Sequence, residues 1–177
     1  MPLAQLMDEA AVLRTLKRIA HEILESHPEP EHLALIGVHR RGAPLCALLG
    51  EAILRIAGLQ PPVGSVDIRY YRDDLTQLDE APRLDSVDIG FDVKGKRIVL
   101  VDDVIYTGRT ARAAMDAVFA QGRPAAIRLA VLVDRGHREL PLRPDYVGKN
   151  IPTARGDRVA VRVPPYDDRI CVELITP

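Results

Sequence analysis

The 177-residue chain has no tryptophan and only two phenylalanines. Stacking on a nucleobase would therefore lean on arginine planes or histidine. It has two cysteines, Cys46 and Cys171, each inside an apolar run. Neither has a cysteine or histidine at zinc-ligand spacing, so a disulfide scaffold and a zinc centre are both excluded. Two buried thiols in a reducing cytosol are the expectation. There is no excess of charge: 24 basic side chains face 25 acidic ones, for a formal net charge of −1. No overall field attracts a polyanion, although charge can still be gathered on one face. No apolar stretch reaches membrane-spanning length, and Asp8, Glu9 and Arg14 interrupt the N-terminal region. Neither a membrane partner nor a signal peptide is expected, and the protein is placed in the cytoplasm. A Walker-type Gly-Lys-Ser/Thr turn is also missing.

Apolar residues make up 47% of the chain, enough for a full core in one domain spanning 1–177. Ala4 to Glu25 reads as a helix with Leu13, Leu16, Ala20, Ile23 and Leu24 on its apolar stripe. Pro28 and Pro30 end it. Leu33 to Val38 is a short continuous apolar run, as in a strand buried on both faces. A helix from about Ala43 to Ala57 follows, then a strand over Val63 to Tyr71. Residues 74–95 are polar and turn-rich, with alternating Val87, Ile89, Phe91 and Val93. Arg97 to Asp103 reads as a second buried strand. Thr107 to Gln121 reads as a helix, with Ala111, Ala114, Met115, Val118 and Phe119 turned to the core and Gly122 ending it. Ile127 to Val133, Val159 to Val163 and Ile170 to Ile175 complete the strands. Strands alternating with helices imply an α/β fold with a mostly parallel central sheet flanked by helices.

In such sheets ligands bind beyond the carboxyl ends of the strands. Asp102 and Asp103 leave one strand there, and Thr107-Gly108-Arg109-Thr110 opens a helix. Unpaired N–H groups at that helix start, two hydroxyls and a glycine that admits close approach make a phosphate cradle. Two carboxylates beside an anion need a reason, and ribose hydroxyls supply one. The same acids can hold Mg²⁺, directly or through water. Arg40-Arg41-Gly42, after the first buried strand, forms a second turn suited to a diphosphate.

The Arg97 to Thr110 run resembles the signature of type I phosphoribosyltransferases, which bind 5-phosphoribosyl 1-diphosphate. The resemblance implies that family's fold, with a small hood and a flexible loop placed at about 72–95. It implies that Asp102 and Asp103 contact the ribose, and that Val104, Ile105, Tyr106, Thr107, Gly108, Arg109 and Thr110 wrap the 5′-phosphate. The Arg40 and Arg41 turn would hold diphosphate, and Arg72 would reach it from the hood. Arg18-Ile19-Ala20-His21-Glu22, Tyr71 to Leu75, Val133 to Pro141 and Asp145 to Thr153 extend the match over nearly the whole chain. These segments resemble the bifunctional pyrimidine operon regulators, uracil phosphoribosyltransferases that also bind pyrimidine-operon mRNA when UMP is bound. Lys17 stands where a hydroxyl residue is common, and His39-Arg40-Arg41 replaces the commoner Thr-Arg-Gly turn.

The reaction implied by the resemblance is that of uracil with 5-phosphoribosyl 1-diphosphate to give UMP and diphosphate, with Mg²⁺. Asp102, Asp103, Arg40 and Arg41 are the expected catalytic group. Arg135 and the backbone near Val159 would form the base pocket. An RNA face would gather Lys17, Arg18 and His21 of the first helix with Arg138, Arg143 and Lys149, in a homodimer or larger homo-oligomer. Two alternatives stand beside this: an RNA-binding regulator that uses the nucleotide site only as a sensor, and a purine or orotate salvage enzyme.

Overall fold

The computed structural model describes residues 3–68 and 87–177. Its centre is a six-stranded sheet in the order β4-β3-β2-β5-β6-β7. The strands are β2 (Leu33–Val38), β3 (Val63–Val66), β4 (Val87–Asp88), β5 (Arg97–Ile105), β6 (Ala126–Asp134) and β7 (Tyr146–Asn150). All neighbours run parallel except the edge pair β3/β4. Every residue of β2 is buried, which is why its sequence shows no polar alternation.

The two faces of the sheet take opposite sets of side chains, as the period of two requires. Leu33, Leu35, Val99, Val101, Ala130 and Leu132 join one core cluster with helices α1 (Glu9–Ser26) and α2 (Gly42–Ala57). Ala34, Ile36, Val38, Ile98 and Leu100 join a second cluster beneath α3 (Arg109–Phe119). The units β2-α2-β3 and β5-α3-β6 are the parallel crossovers that alternation predicts. Residues 87–95, part of the segment expected as hood and loop, add β4 to the sheet edge and bury Ile89 and Val93 in the second cluster. The rest of that segment, with Arg72, lies outside the described residues.

A separate three-stranded antiparallel sheet, β1-β9-β8, is built from both ends of the chain. It comprises β1 (Leu3–Met7), β8 (Arg158–Arg162) and β9 (Cys171–Ile175). Val159, Val161 and Val172 pack from it into the first cluster.

Four expectations need correction. The first helix does not begin at Ala4: Leu3–Met7 pair with β9, and Asp8 then caps the helix by accepting from Ala11 N at 2.8 Å. Its buried stripe is Val12, Leu16, Ile19, Ala20 and Ile23, and Leu13 is exposed. Phe119 does not face the core: it is 57% exposed, because α3 ends there and its buried face is small, carrying Ala111, Ala113, Ala114, Ala117 and Val118. Edge strand β7, not predicted, lies in a polar stretch. Cys46 and Cys171 are free and buried as expected, and burial pushes both thiols up. No helix among the described residues is long and apolar enough to cross a membrane.

Candidate active site at the ends of the central strands

Strand β5 runs on past its buried core into Asp102 and Asp103, and pairs with β6 as far as Ile105 opposite Asp134. Gly108, at φ +93°, caps α3, a conformation in which any other residue would be strained. Arg112 N donates to Gly108 O at 3.0 Å, so the amides before it precede the helical ladder. Together these elements line a cavity of about 390 Å³ bounded by Asp102, Val104 to Ala111 and Glu139. The structure thus brings Asp102 and the whole Val104 to Thr110 turn to one cavity.

Asp102 is 7% exposed. Burial, reinforced by the Asp103 charge and a carboxyl–carboxyl hydrogen bond, raises its pKa well above the usual carboxylate range. Asp102 Oδ1 accepts from Asp103 N at 2.9 Å, and Asp103 Oδ1 accepts from Val104 N at 2.8 Å. One backbone amide holds each carboxyl group by a single oxygen. Two crowded hard-oxygen ligands, one of them driven toward protonation, fit a partner that brings donors or positive charge, namely ribose hydroxyls or Mg²⁺.

The second loop lies against the first. A side chain on Gly42 would meet Val101 O at 2.5 Å and Asp102 Cα at 3.1 Å. Only glycine lets the start of α2 sit on the end of β5. The two arginines of that loop diverge. Arg41 donates from Nε and Nη2 to Asp167, at 2.9 and 3.1 Å. Arg40 is exposed, with its guanidinium 5.6 Å from the Tyr166 ring centroid.

Asp167, and Glu173 behind it, are acids with buried side chains near this loop that sequence reasoning missed. Asp167 also accepts from Arg162 Nη1 at 3.3 Å and Val163 N at 3.0 Å. Its pKa is held down to about 2, chiefly by the Arg41 hydrogen bond. Glu173, 1% exposed, takes Arg162 and Arg169 on its two oxygens, at 3.2 and 2.6 Å. Burial would raise its pKa, but the two arginines outweigh it and hold it down. The diphosphate-type loop is thereby tied to the small sheet through alternating charges.

Arg135 is 8% exposed, and its guanidinium carbon lies 4.0 Å from the Tyr106 ring centroid. Nη2 donates to Ala154 O at 3.2 Å, while buried Nε has no acceptor among the described residues. Val159 is packed in the first core cluster and is not part of the cavity lining. Beside Arg135 lie Thr153, whose hydroxyl donates to Arg135 O at 3.0 Å, and Ala154.

The basic side chains expected on one face are distributed. Arg14, Arg18 and Lys149 share a shallow groove where Arg18 Nη2 donates to Val147 O and Gly148 O. Lys17 and His21 line a groove of about 720 Å³ between α1 and α2, with Leu13, Leu48 and Arg55. Arg143 lies on the α3 side of the sheet, beside Met115 and Leu129. Arg138 is not free at all: its guanidinium serves Tyr106 O, Leu142 O and Asp134.

A parallel sheet carrying an acidic pair and a phosphate turn beyond its central strand has the architecture of a phosphoribosyltransferase. The chain belongs to the phosphoribosyl transferase domain family, which it matches over residues 2–169. Within it, the chain is 53% identical over 171 residues to the bifunctional protein PyrR of Acetivibrio thermocellus, covering 97% of this chain and 93% of that one. It is 57% identical over 164 residues to the bifunctional protein PyrR of Thermoanaerobacter sp., covering 93% and 92%. The fold is also that of a hypoxanthine phosphoribosyltransferase from Trypanosoma cruzi, at TM-score 0.77, 23% identity and coverage of 98% and 95%.

Proposed function

We infer that the chain is a bifunctional protein: a uracil phosphoribosyltransferase, and a regulator that binds pyrimidine-operon mRNA in a uridine-nucleotide-dependent manner. The observation that carries the reading is the joint placement of Asp102 and the Thr107 to Thr110 turn at one cavity, with Asp103 next in the strand and the Gly42 loop laid against Asp102. Identity above 50% to proteins named bifunctional PyrR supports it over purine salvage, for which the likeness is one of fold.

In the reaction, the ribose C1 gains positive character as its bond to diphosphate breaks, and uracil N1 bonds to it, giving up its proton to the departing diphosphate or to water. The protein's work is orientation and charge stabilisation. Asp102 and Asp103 accept from the ribose hydroxyls and hold the sugar at the strand end. The hydroxyls of Thr107 and Thr110 and the amides of residues 107–110 bind the 5′-phosphate. Arg40 neutralises the diphosphate, and Arg41 fixes the loop that carries it. Arg72, outside the described residues, is assigned to the diphosphate from above. Mg²⁺, held by Asp102 and Asp103 directly or through water, supplies further charge neutralisation when bound. Arg135, stacked on cavity residue Tyr106, is assigned to the uracil side of the site.

Regulation uses exposed Lys17, Arg18, His21 and Lys149, with Arg143 reached on another face. A homodimer lets two such faces add up, since single phosphate contacts are weak. The protein acts in the cytoplasm, where its RNA and its substrates are made.

The test is turnover with 5-phosphoribosyl 1-diphosphate and each of uracil, hypoxanthine and orotate, beside a gel-shift with pyrimidine-operon leader RNA with and without UMP. Preference for uracil and UMP-strengthened RNA binding are expected. UMP-strengthened binding without turnover of any base marks a sensor. Preference for hypoxanthine or orotate marks a salvage enzyme.

A further inference from the structure

The phosphate turn is held from behind by a segment the reaction does not use. Tyr106 O accepts from Arg138 Nη1 at 2.9 Å. Thr107 O accepts from Glu139 N at 2.9 Å and from Leu140 N at 3.1 Å. Arg109 Nε donates to Glu139 Oε2 at 2.9 Å. A β-carbon on Gly108 would lie 3.5 Å from Leu140 and Leu142 and 3.6 Å from Arg138 Cδ, ordinary packing distance. Residues 138–142 therefore back the turn at contact.

The peptide plane turns this backing into an aim. In a trans peptide the C=O and the following N–H point opposite ways. Pinning Tyr106 O fixes the direction of the Thr107 N–H, and pinning Thr107 O fixes that of the Gly108 N–H. Both amides are thereby turned away from residues 138–142. Arg138 is itself braced. Its Nη2 donates to Asp134 Oδ2 at 2.6 Å and its Nε to Leu142 O at 2.9 Å. The side chains of Arg138 and Asp134 are 22% and 14% exposed. All three guanidinium nitrogens are spent inside the molecule. Pulling such a charge-assisted pair apart costs more than one exposed RNA phosphate contact returns.

We propose that Arg138 is a positioning residue of the phosphoribosyl site: braced by Asp134, its guanidinium orients the Thr107 amide toward the 5′-phosphate, beside the Gly108 amide that the Glu139 and Leu140 backbone aims, and it influences RNA binding only through nucleotide occupancy. This rests on the reading of the cavity as the phosphoribosyl site.

The test compares the full-length wild-type chain with Arg138→Gln, Arg138→Lys and Asp134→Asn. UMP binding is measured by calorimetry, steady-state rates with uracil are taken, and gel-shifts with leader RNA are run at low and saturating UMP. For Arg138→Gln, the UMP Kd and the KM for 5-phosphoribosyl 1-diphosphate rise about tenfold or more, with kcat much less affected. Arg138→Lys recovers part of the loss, and Asp134→Asn moves the same way. Saturating UMP restores RNA binding by Arg138→Gln to the wild-type level. A UMP Kd within twofold of wild type, or RNA binding still lost at saturating UMP, overturns the proposal. If Arg138→Gln does not fold, a UMP Kd within twofold of wild type for both other variants overturns it. A wild-type chain that binds no UMP defeats the phosphoribosyl reading itself, and this proposal with it.

Discussion

Arg41 donates two hydrogen bonds to the carboxylate of Asp167, although 126 positions separate them in the chain. One residue belongs to the loop proposed to take diphosphate, the other to the turn entering β9. The pair therefore ties the reaction loop to the small sheet. Asp167→Ala leaves a half-buried guanidinium without its main acceptor. A loss of about 1–3 kcal/mol in stability is expected, together with a raised KM for 5-phosphoribosyl 1-diphosphate. Thermal unfolding and steady-state kinetics check both. An unchanged KM would show that the loop holds its shape without the tie.

The same pair sets an acid limb. Asp167 is held at about pH 2, below the ordinary aspartate value of 3.8, chiefly by the Arg41 hydrogen bond. A depressed folded-state pKa contributes stability that is fully present above the unfolded value and lost as pH falls through the folded one. Stability from this group should therefore fade between about pH 4 and pH 2. Asp167→Asn should flatten that part of the unfolding curve and leave the slope above pH 5 unaltered.

Asp102 makes the opposite prediction. Its pKa is raised by burial and by Asp103, so its ionisation costs folding free energy as pH rises above the unfolded value near 3.8. Asp102→Asn removes that cost and keeps the shape. Its Tm at neutral pH should exceed that of wild type by a few degrees, about 3 °C for each kcal/mol relieved. Turnover should fall by about a hundredfold or more through loss of the ribose anchor. Calorimetric scans at pH 5 and 8 with uracil assays check the pair of outcomes. A variant both less stable and fully active contradicts them.

Lys17 and His21 lie on an exposed helix face away from the Asp102 cavity. Lys17→Glu should weaken leader-RNA binding and reduce the slope of log affinity against log salt by about one. Uracil turnover should stay at the wild-type rate. Gel-shifts at several salt concentrations decide it, and an unchanged RNA affinity would remove α1 from the RNA face.

The legible parts of the fold were those with one physical interpretation. Leu33–Val38 and Val99–Val101 are buried on both faces, and nothing but a central strand fits such short apolar runs between turns. The meeting of Asp102 and the Thr107 to Thr110 turn at one cavity was legible because they lie within nine consecutive residues, 102–110. Leu3–Met7 was not legible as a strand: its apolar residues continue a helical period, and its partner β9 lies at the other end of the chain. The signal was Asp8, whose side chain caps the helix after it. Asp167 escaped because folding alone brings it to Arg41, 126 positions away. Asp134 is four positions from Arg138, but outside a helix that spacing carries no signal of contact. Glu173 carried a faint signal, an acid inside the apolar run Cys171–Ile175, which had to find cations.

The central claim is that Asp102 and Asp103, with the Thr107 to Thr110 turn, bind a phosphorylated ribose. The measurement closest to it is calorimetric titration of UMP into the wild-type chain and into the Asp102→Asn, Asp103→Asn double variant, with uracil turnover measured on both. Wild type is predicted to bind UMP and turn over uracil, while the folded double variant loses most of both. Near-wild-type UMP affinity and turnover in the double variant would contradict the account.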